Sequence, residues 1–145
     1  MIKSYTTFEI FPSQKLIIEY YAGDISVDIL IGIKKEISKH ESYNPNYNLI
    51  MDMRNSNFLY EREAVTEFTK FFKSFHAIIG RRKVAYLTGK PNEVVATKVF
   101  AQLIGDLEIN AQTFSTVPAI VSWFNISDFT EDEFEQIIDR LRSKL

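Results

Sequence analysis

Three polar side chains at the end of a short apolar run are the strongest candidates for chemistry in this sequence. Residues 49–53 contain few polar side chains, which indicates a central strand buried on both faces. Asp52 and Arg54 stand at its carboxyl end, where open α/β sheets form ligand crevices, and their i, i+2 spacing places them on one face. Together with Asn55, they either bind a ligand or partner, or form a structural unit in which the carboxylate caps loop N–H groups and pairs with the arginine.

The remaining reactive side chains form no pattern that predicts catalysis. The two histidines, His40 and His76, have neither a neighbouring nucleophile nor the carboxylate spacing of a metal site. The turn at residues 89–91 lacks the glycine spacing of a phosphate loop, and its proline removes a needed N–H. The basic run at residues 81–83 is either a solvated loop or a contact for an acidic partner or a membrane surface. We therefore expect no catalytic residue, no metal site and no cofactor.

Composition narrows the class of protein further. The chain has 145 residues, of which 46% are hydrophobic and 25% charged, and this balance is typical of one globular domain. A net charge of −2 argues against nucleic-acid binding, and the lack of cysteine excludes disulfides and thiolate chemistry. We find neither a signal peptide nor a run of about 20 apolar residues, so we expect a cytoplasmic protein without a transmembrane segment.

Local patterns in the first half predict a hairpin, a helix and a strand. Residues 8–11 and 16–21 are rich in β-branched and aromatic side chains, and the turn-forming residues 12–14 separate them. Residues 26–40 have helical spacing of apolar positions, with Lys34 and its charged neighbours expected on the solvent side. The buried strand at residues 49–53 follows.

The aromatic helix predicted at residues 61–79 begins the second half. Phe68, Phe71, Phe72 and Phe75 belong to one broad apolar stripe, which also includes Ile78 and Ile79. This stripe either packs into the core, or lines an apolar ligand cavity or a dimer face.

The rest of the chain predicts two further strands and three helices. The strands are residues 83–88 and 109–114, and the helix between them begins after residue 92. Its buried positions are expected to be Val95, Val99, Phe100, Leu103 and Ile104. Pro118 opens a short helix, and the capping box at residues 130–133 opens a last, amphipathic one with Phe134, Ile137, Ile138, Leu141 and Leu145 on its apolar side.

This alternation of strands and helices predicts an α/β fold with a mixed, mostly parallel β-sheet, an N-terminal hairpin and helices packed against it. The run Tyr47-Asn48-Leu49-Ile50-Met51-Asp52-Met53-Arg54 and the later Ala119-x-x-x-Trp123-Phe124 resemble SpoIIAA-like proteins of the STAS-like class. The resemblance implies a STAS-like domain over residues 1–127. Residues 128–145 are then an extra C-terminal helix, packed on its own domain or on a partner.

The resemblance also implies a function, because STAS-type domains are usually non-enzymatic. Their best-known members are anti-sigma-factor antagonists, switched by phosphorylation of a serine just after the central strand. The corresponding stretch here, residues 60–63, has no serine, and Ser56 lies earlier, in the predicted loop. We expect a regulatory module that binds a protein partner or a second copy of itself without this switch. A small-molecule or lipid-binding domain is the alternative, and an enzyme would require a perturbed Asp52 in a cleft.

Overall fold

A five-stranded mixed sheet forms the centre of the computed structural model, which describes residues 3–58, 61–75, 80–91, 93–95, 98 and 109–144. The strand order is β1-β2-β3-β4-β5, with the first pair antiparallel and all others parallel. This arrangement confirms the predicted fold class. The strands are β1 (Tyr5–Phe11), β2 (Leu16–Ile25), β3 (Asn48–Phe58), β4 (Arg82–Leu87) and β5 (Ile109–Phe114).

Four α-helices whose two ends both lie among the described residues connect or cover these strands. They are α1 (Val27–Ser38), α2 (Arg62–Ser74), α3 (Val117–Phe124) and α4 (Glu131–Arg142). The Ser26 hydroxyl caps α1 by accepting a hydrogen bond from the Ile29 N–H at 3.3 Å. Thr130 caps α4 in the same way through the Glu133 N–H at 3.1 Å, as the capping box predicts.

Some predicted boundaries and exposures differ from the structure. Helix α2 ends at Ser74, and its predicted continuation through residues 76–79 lies outside the described residues. Val95 was predicted to be buried, but it is 62% exposed. The other apolar positions predicted for the helix after residue 92 lie outside the described residues, namely Val99, Phe100, Leu103 and Ile104. His76, Asn92 and Leu145 lie outside them as well.

The two faces of the sheet support separate cores because side chains alternate along each strand. Helices α1 and α2 cover one face, where Tyr21 and Met51 are buried. Helices α3 and α4 cover the other, where Tyr20 and Ile50 are buried. Helix α4 lies against β1 and β2 of its own chain, and the Tyr5 hydroxyl donates to the Leu141 carbonyl at 2.9 Å.

Candidate functional site

Asp52 and Arg54 form one hydrogen-bonded unit in the middle of β3, which continues to Phe58 rather than ending near residue 53, at the point where its pairing with β4 ends. The Asp52 side chain is fully buried, and its Oδ1 accepts hydrogen bonds from the Arg54 backbone N–H at 3.1 Å and from Nε at 2.9 Å. Its Oδ2 accepts a third from Nη2 at 2.8 Å. Such a bidentate pair fixes the planes of both groups. This geometry matches the sequence-based alternative in which the Asp52 carboxylate caps a backbone N–H and pairs with the arginine.

A bulge in β3 brings the third predicted residue to the same place. Asp52 pairs with Tyr20, but the next paired residues are Asn55 and Ala22, so β3 has one extra residue here. Bulges of this kind redirect side chains, and they occur often beside functional sites. The Asn55 amide donates to the Tyr20 hydroxyl at 3.3 Å, while Asn55 itself stays exposed. The structure thus brings Asp52, Arg54 and Asn55 together.

Arg54 also links this unit to helix α4. No local sequence pattern indicates this contact. Its Nη1 donates to Glu135 of α4 at 2.9 Å, and its guanidinium lies 5.7 Å from the centre of the Phe134 ring. The hydrogen bonds to Asp52, above all, raise the pKa of Arg54. With both oxygens of Asp52 occupied by a permanent cation, an acid–base role for Asp52 would require Arg54 to move away.

Ser56 lies in β3 rather than in the predicted loop. It is buried, and its hydroxyl donates to the Met53 carbonyl at 2.9 Å. The Lys90 ammonium donates to the Ser56 carbonyl and, at 3.2 Å, to Asn57 Oδ1. The carboxyl ends of β3 and β4 are thereby tied together, and Asn57 remains exposed beside them.

A buried ion pair beneath α1 was missed from the sequence. Lys34 was predicted to face solvent, yet it is 6% exposed and donates to Glu19 Oε1 at 2.7 Å and Oε2 at 2.9 Å. Glu19, on β2, is 1% exposed and also accepts a hydrogen bond from the Tyr21 hydroxyl. Burial lowers the pKa of Lys34, and the charge of Glu19 opposes that shift. A single carboxylate inside an apolar strand was the available signal, because such a group needs a partner.

The basic run at residues 81–83 is largely structural rather than a solvated loop. Arg82 belongs to β4 and is buried, with hydrogen bonds to the Pro45 carbonyl and, at 3.0 Å, to the Tyr43 hydroxyl. Lys83 donates to the Trp123 carbonyl at 2.8 Å. Arg82 and Lys83 are therefore engaged within the protein.

The aromatic helix α2 packs into the core rather than beside a large cavity. Phe68 and Phe72 are buried, and Phe71 and Phe75 stack with ring centres 5.2 Å apart at its half-buried edge. The cavity beside Phe68 and Phe72 has a volume of about 20 Å³. Pockets for small organic ligands measure roughly 300–1,000 Å³, so this cavity is far too small for a lipid.

Histidine and carboxylate side chains show no ligand cluster in the part of the chain that the structure describes. There, no three such groups lie close enough to hold a metal ion. His40 is exposed, and its Nδ1 accepts a hydrogen bond from the Ser42 N–H at 3.1 Å. His76 lies outside the described residues. Within those residues, no helix has the length and hydropathy to cross a membrane.

Comparison with known proteins identifies the fold. An uncharacterised protein of the DUF3478 family from Shewanella loihica PV-4, whose structure has a SpoIIAA-like fold, superimposes with a TM-score of 0.56. The two chains are 11% identical, and the match covers 86% of this chain and 95% of the other. This chain therefore has a SpoIIAA-like fold. Comparison of the sequence with models of protein families and with curated proteins gives no match.

Proposed function

We propose that this protein is a non-enzymatic interaction module that binds a protein partner at the carboxyl ends of β2 and β3. The observation that carries the proposal is the occupied state of Asp52, whose two oxygens both accept hydrogen bonds from Arg54. The candidate site thus offers a rigid framework rather than a free acid or base. A framework of this kind suits recognition, because its surface groups need not reorganise on binding.

Exposed amides provide the recognition groups of the proposed surface. Asn55 and Asn57 stand on β3 at the sheet end, and each is exposed although it is hydrogen-bonded to a neighbouring side chain. An asparagine amide has both donor and acceptor atoms, so it can contact a partner while keeping an internal bond. Lys90, which contacts Asn57, adds positive charge nearby.

The proposed module works without the serine switch of its better-known structural relatives. Ser56 is the serine nearest to the end of β3, and its hydroxyl is buried against the Met53 carbonyl. A kinase would have to open the strand to reach it. Regulation of binding is therefore expected to come from the partner or from its concentration.

Matched surface variants test the proposal. The double variant Asn55→Arg/Asn57→Arg adds bulk and charge at the proposed surface, whereas Asn110→Arg adds the same side chain at the amino end of β5. Each tagged protein is cross-linked in its own cells, and captured proteins are quantified by mass spectrometry. We expect at least one partner to be lost about tenfold from the double variant and retained by Asn110→Arg. Identical partner sets for both variants would contradict the proposed surface.

Native mass spectrometry tests the alternative of a small-molecule or lipid-binding domain. The cavity of about 20 Å³ beside Phe68 and Phe72, where the aromatic helix would have formed a pocket wall, is too small for such a ligand. We expect the protein from its own cells to have the mass of the chain alone, as monomer or homodimer. A mass excess that disappears on denaturation would overturn the interaction proposal in favour of a bound ligand.

A further inference from the structure

Strand β1 lies at the edge of the sheet, and only one of its two sides is paired. It pairs with β2 over all seven residues, Tyr5–Phe11, and it has no other neighbour among the described strands. An antiparallel neighbour takes only about half of a strand's backbone N–H and C=O groups, so the other groups of β1 point away from β2. Such a row of backbone groups is a template for another strand.

The sequence of β1 lacks the features that usually prevent an edge strand from pairing. Natural edge strands are short, bulged, or interrupted by proline or lysine. Strand β1 is seven residues long and pairs regularly with β2, and it contains neither proline nor lysine. Glu9 is its only charged residue. The free side of β1 is therefore suited to pairing with a further strand.

Two opposite charges accompany this free side. Lys3 precedes β1, and its backbone lies against β2, since a Cβ at Gly23 would collide with the Lys3 carbonyl oxygen. Lys3 and Glu9 are an even number of residues apart, so on an extended chain their side chains lie on the same face. The Lys3 side chain is exposed and forms no ion pair with a described residue. Glu9 accepts two hydrogen bonds from Arg140, at 3.2 and 2.7 Å, and both are on Oε1, so Oε2 has no donor among the described residues.

We propose that β1 pairs in antiparallel fashion with β1 of a second copy of this chain, with Thr6 at the two-fold axis. Thr6 is midway between Lys3 and Glu9, so in this register Lys3 of each copy faces Glu9 of the other. The same surface is used twice, and the contact therefore closes as a dimer whose sheet continues through both copies. Backbone hydrogen bonds supply the affinity, and the two symmetric ion pairs select the register. The dimer contact lies on β1 and does not involve the proposed partner surface on β3.

Thiol cross-linking tests the position of the two-fold axis. The chain has no cysteine, so Thr6→Cys introduces a single thiol in each copy. Facing Cα atoms of an antiparallel pair are about 4.5–5.5 Å apart, and a short bismaleimide should therefore join two copies of this variant. Asn110→Cys, on the opposite edge strand β5, is the matched control and should remain monomeric on a denaturing gel.

Sedimentation velocity of charge variants tests the register. Lys3→Glu places like charges opposite each other at two symmetric positions, and it should weaken the dimer about tenfold. The exchange variant Lys3→Glu/Glu9→Lys restores opposite charges at both positions and should recover most of the lost affinity.

Three results would overturn this inference. The first is a wild-type protein that sediments as a monomer at every concentration at which it stays soluble, which would leave the free side of β1 to a strand of another protein or to none. The second is a wild-type dimer without preferential cross-linking of Thr6→Cys over Asn110→Cys. The third is a dimer that Lys3→Glu does not weaken. Sedimentation of the wild type remains decisive even if a variant does not fold.

Discussion

Replacement of Lys34 by methionine tests whether the buried ion pair stabilises the junction between α1 and the sheet. Methionine has a similar length but no charge, so the substitution leaves Glu19 buried without its cation. The two hydrogen bonds that are lost, at 2.7 and 2.9 Å, are the only ones between the two side chains. Tyr21 remains as a neutral donor to the carboxylate.

The expected loss is about 3–5 kcal/mol in the free energy of unfolding, because one partner of a buried pair has been removed. Domains of this size are stable by only about 5–15 kcal/mol in total. With a urea m-value of about 2 kcal/mol per M, the midpoint should fall by about 2 M. The double variant Glu19→Gln/Lys34→Met removes both charges and should recover about 2 kcal/mol.

Urea unfolding followed by far-ultraviolet circular dichroism measures these differences. Lys39→Met is the matched control, since Lys39 is exposed at the end of the same helix. Its free energy of unfolding should stay within about 0.5 kcal/mol of the wild type. A loss below about 1 kcal/mol for Lys34→Met, or a double variant that is less stable than the single one, would refute the reasoning.

Three further predictions concern stability. Asp52→Asn should cost about 2 kcal/mol in urea unfolding, because the Arg54 guanidinium loses charge-assisted hydrogen bonds; a change below 0.5 kcal/mol would contradict the role described for the pair. The raised pKa of Tyr86 means that the native protein keeps a proton that the unfolded chain loses above about pH 10. The free energy of unfolding should therefore fall as pH rises past 10, and it should fall less steeply in Tyr86→Phe. The pH dependence that remains in the variant is due partly to Tyr43, whose pKa is also raised by burial. Equal slopes in the wild type and the variant would contradict this prediction. Thr130→Ala should cost about 1 kcal/mol and lower Tm by about 2–4 °C in calorimetry, whereas Thr130→Ser should retain most of the stability.

Local patterns were sufficient for the order of the strands and for the pairing of Asp52 with Arg54 in β3. The first half of β3, residues 49–53, is buried on both faces, and its low polar content was enough to predict its central position. The i, i+2 spacing of Asp52 and Arg54 is likewise local. Their third partner, Glu135, lies 81 residues from Arg54, and no local pattern connects positions so distant.

Long-range pairing explains where the sequence-based interpretation was wrong. Lys34 was predicted to face solvent because the helical pattern assigns every lysine to the polar face. Its burial in the structure depends instead on its ion pair with Glu19, fifteen residues earlier. Ser56 stands between two asparagines, which favour turns, yet it is in a strand because β2 extends far enough for Gly23 to pair with it. In both cases a tertiary partner outweighs the local preference.

The position of α4 also has a consequence for the order in which the molecule is completed during synthesis. Each strand pairs with its neighbour in sequence, so the sheet can grow as the chain leaves the ribosome. The sheet face that includes Leu16, Ile18 and Tyr20 is covered later than the strands are paired, because α4, which packs on it, follows all five strands in the sequence. This apolar surface stays uncovered until residue 141 has emerged, so a nascent chain that stalls earlier presents an aggregation-prone sheet face.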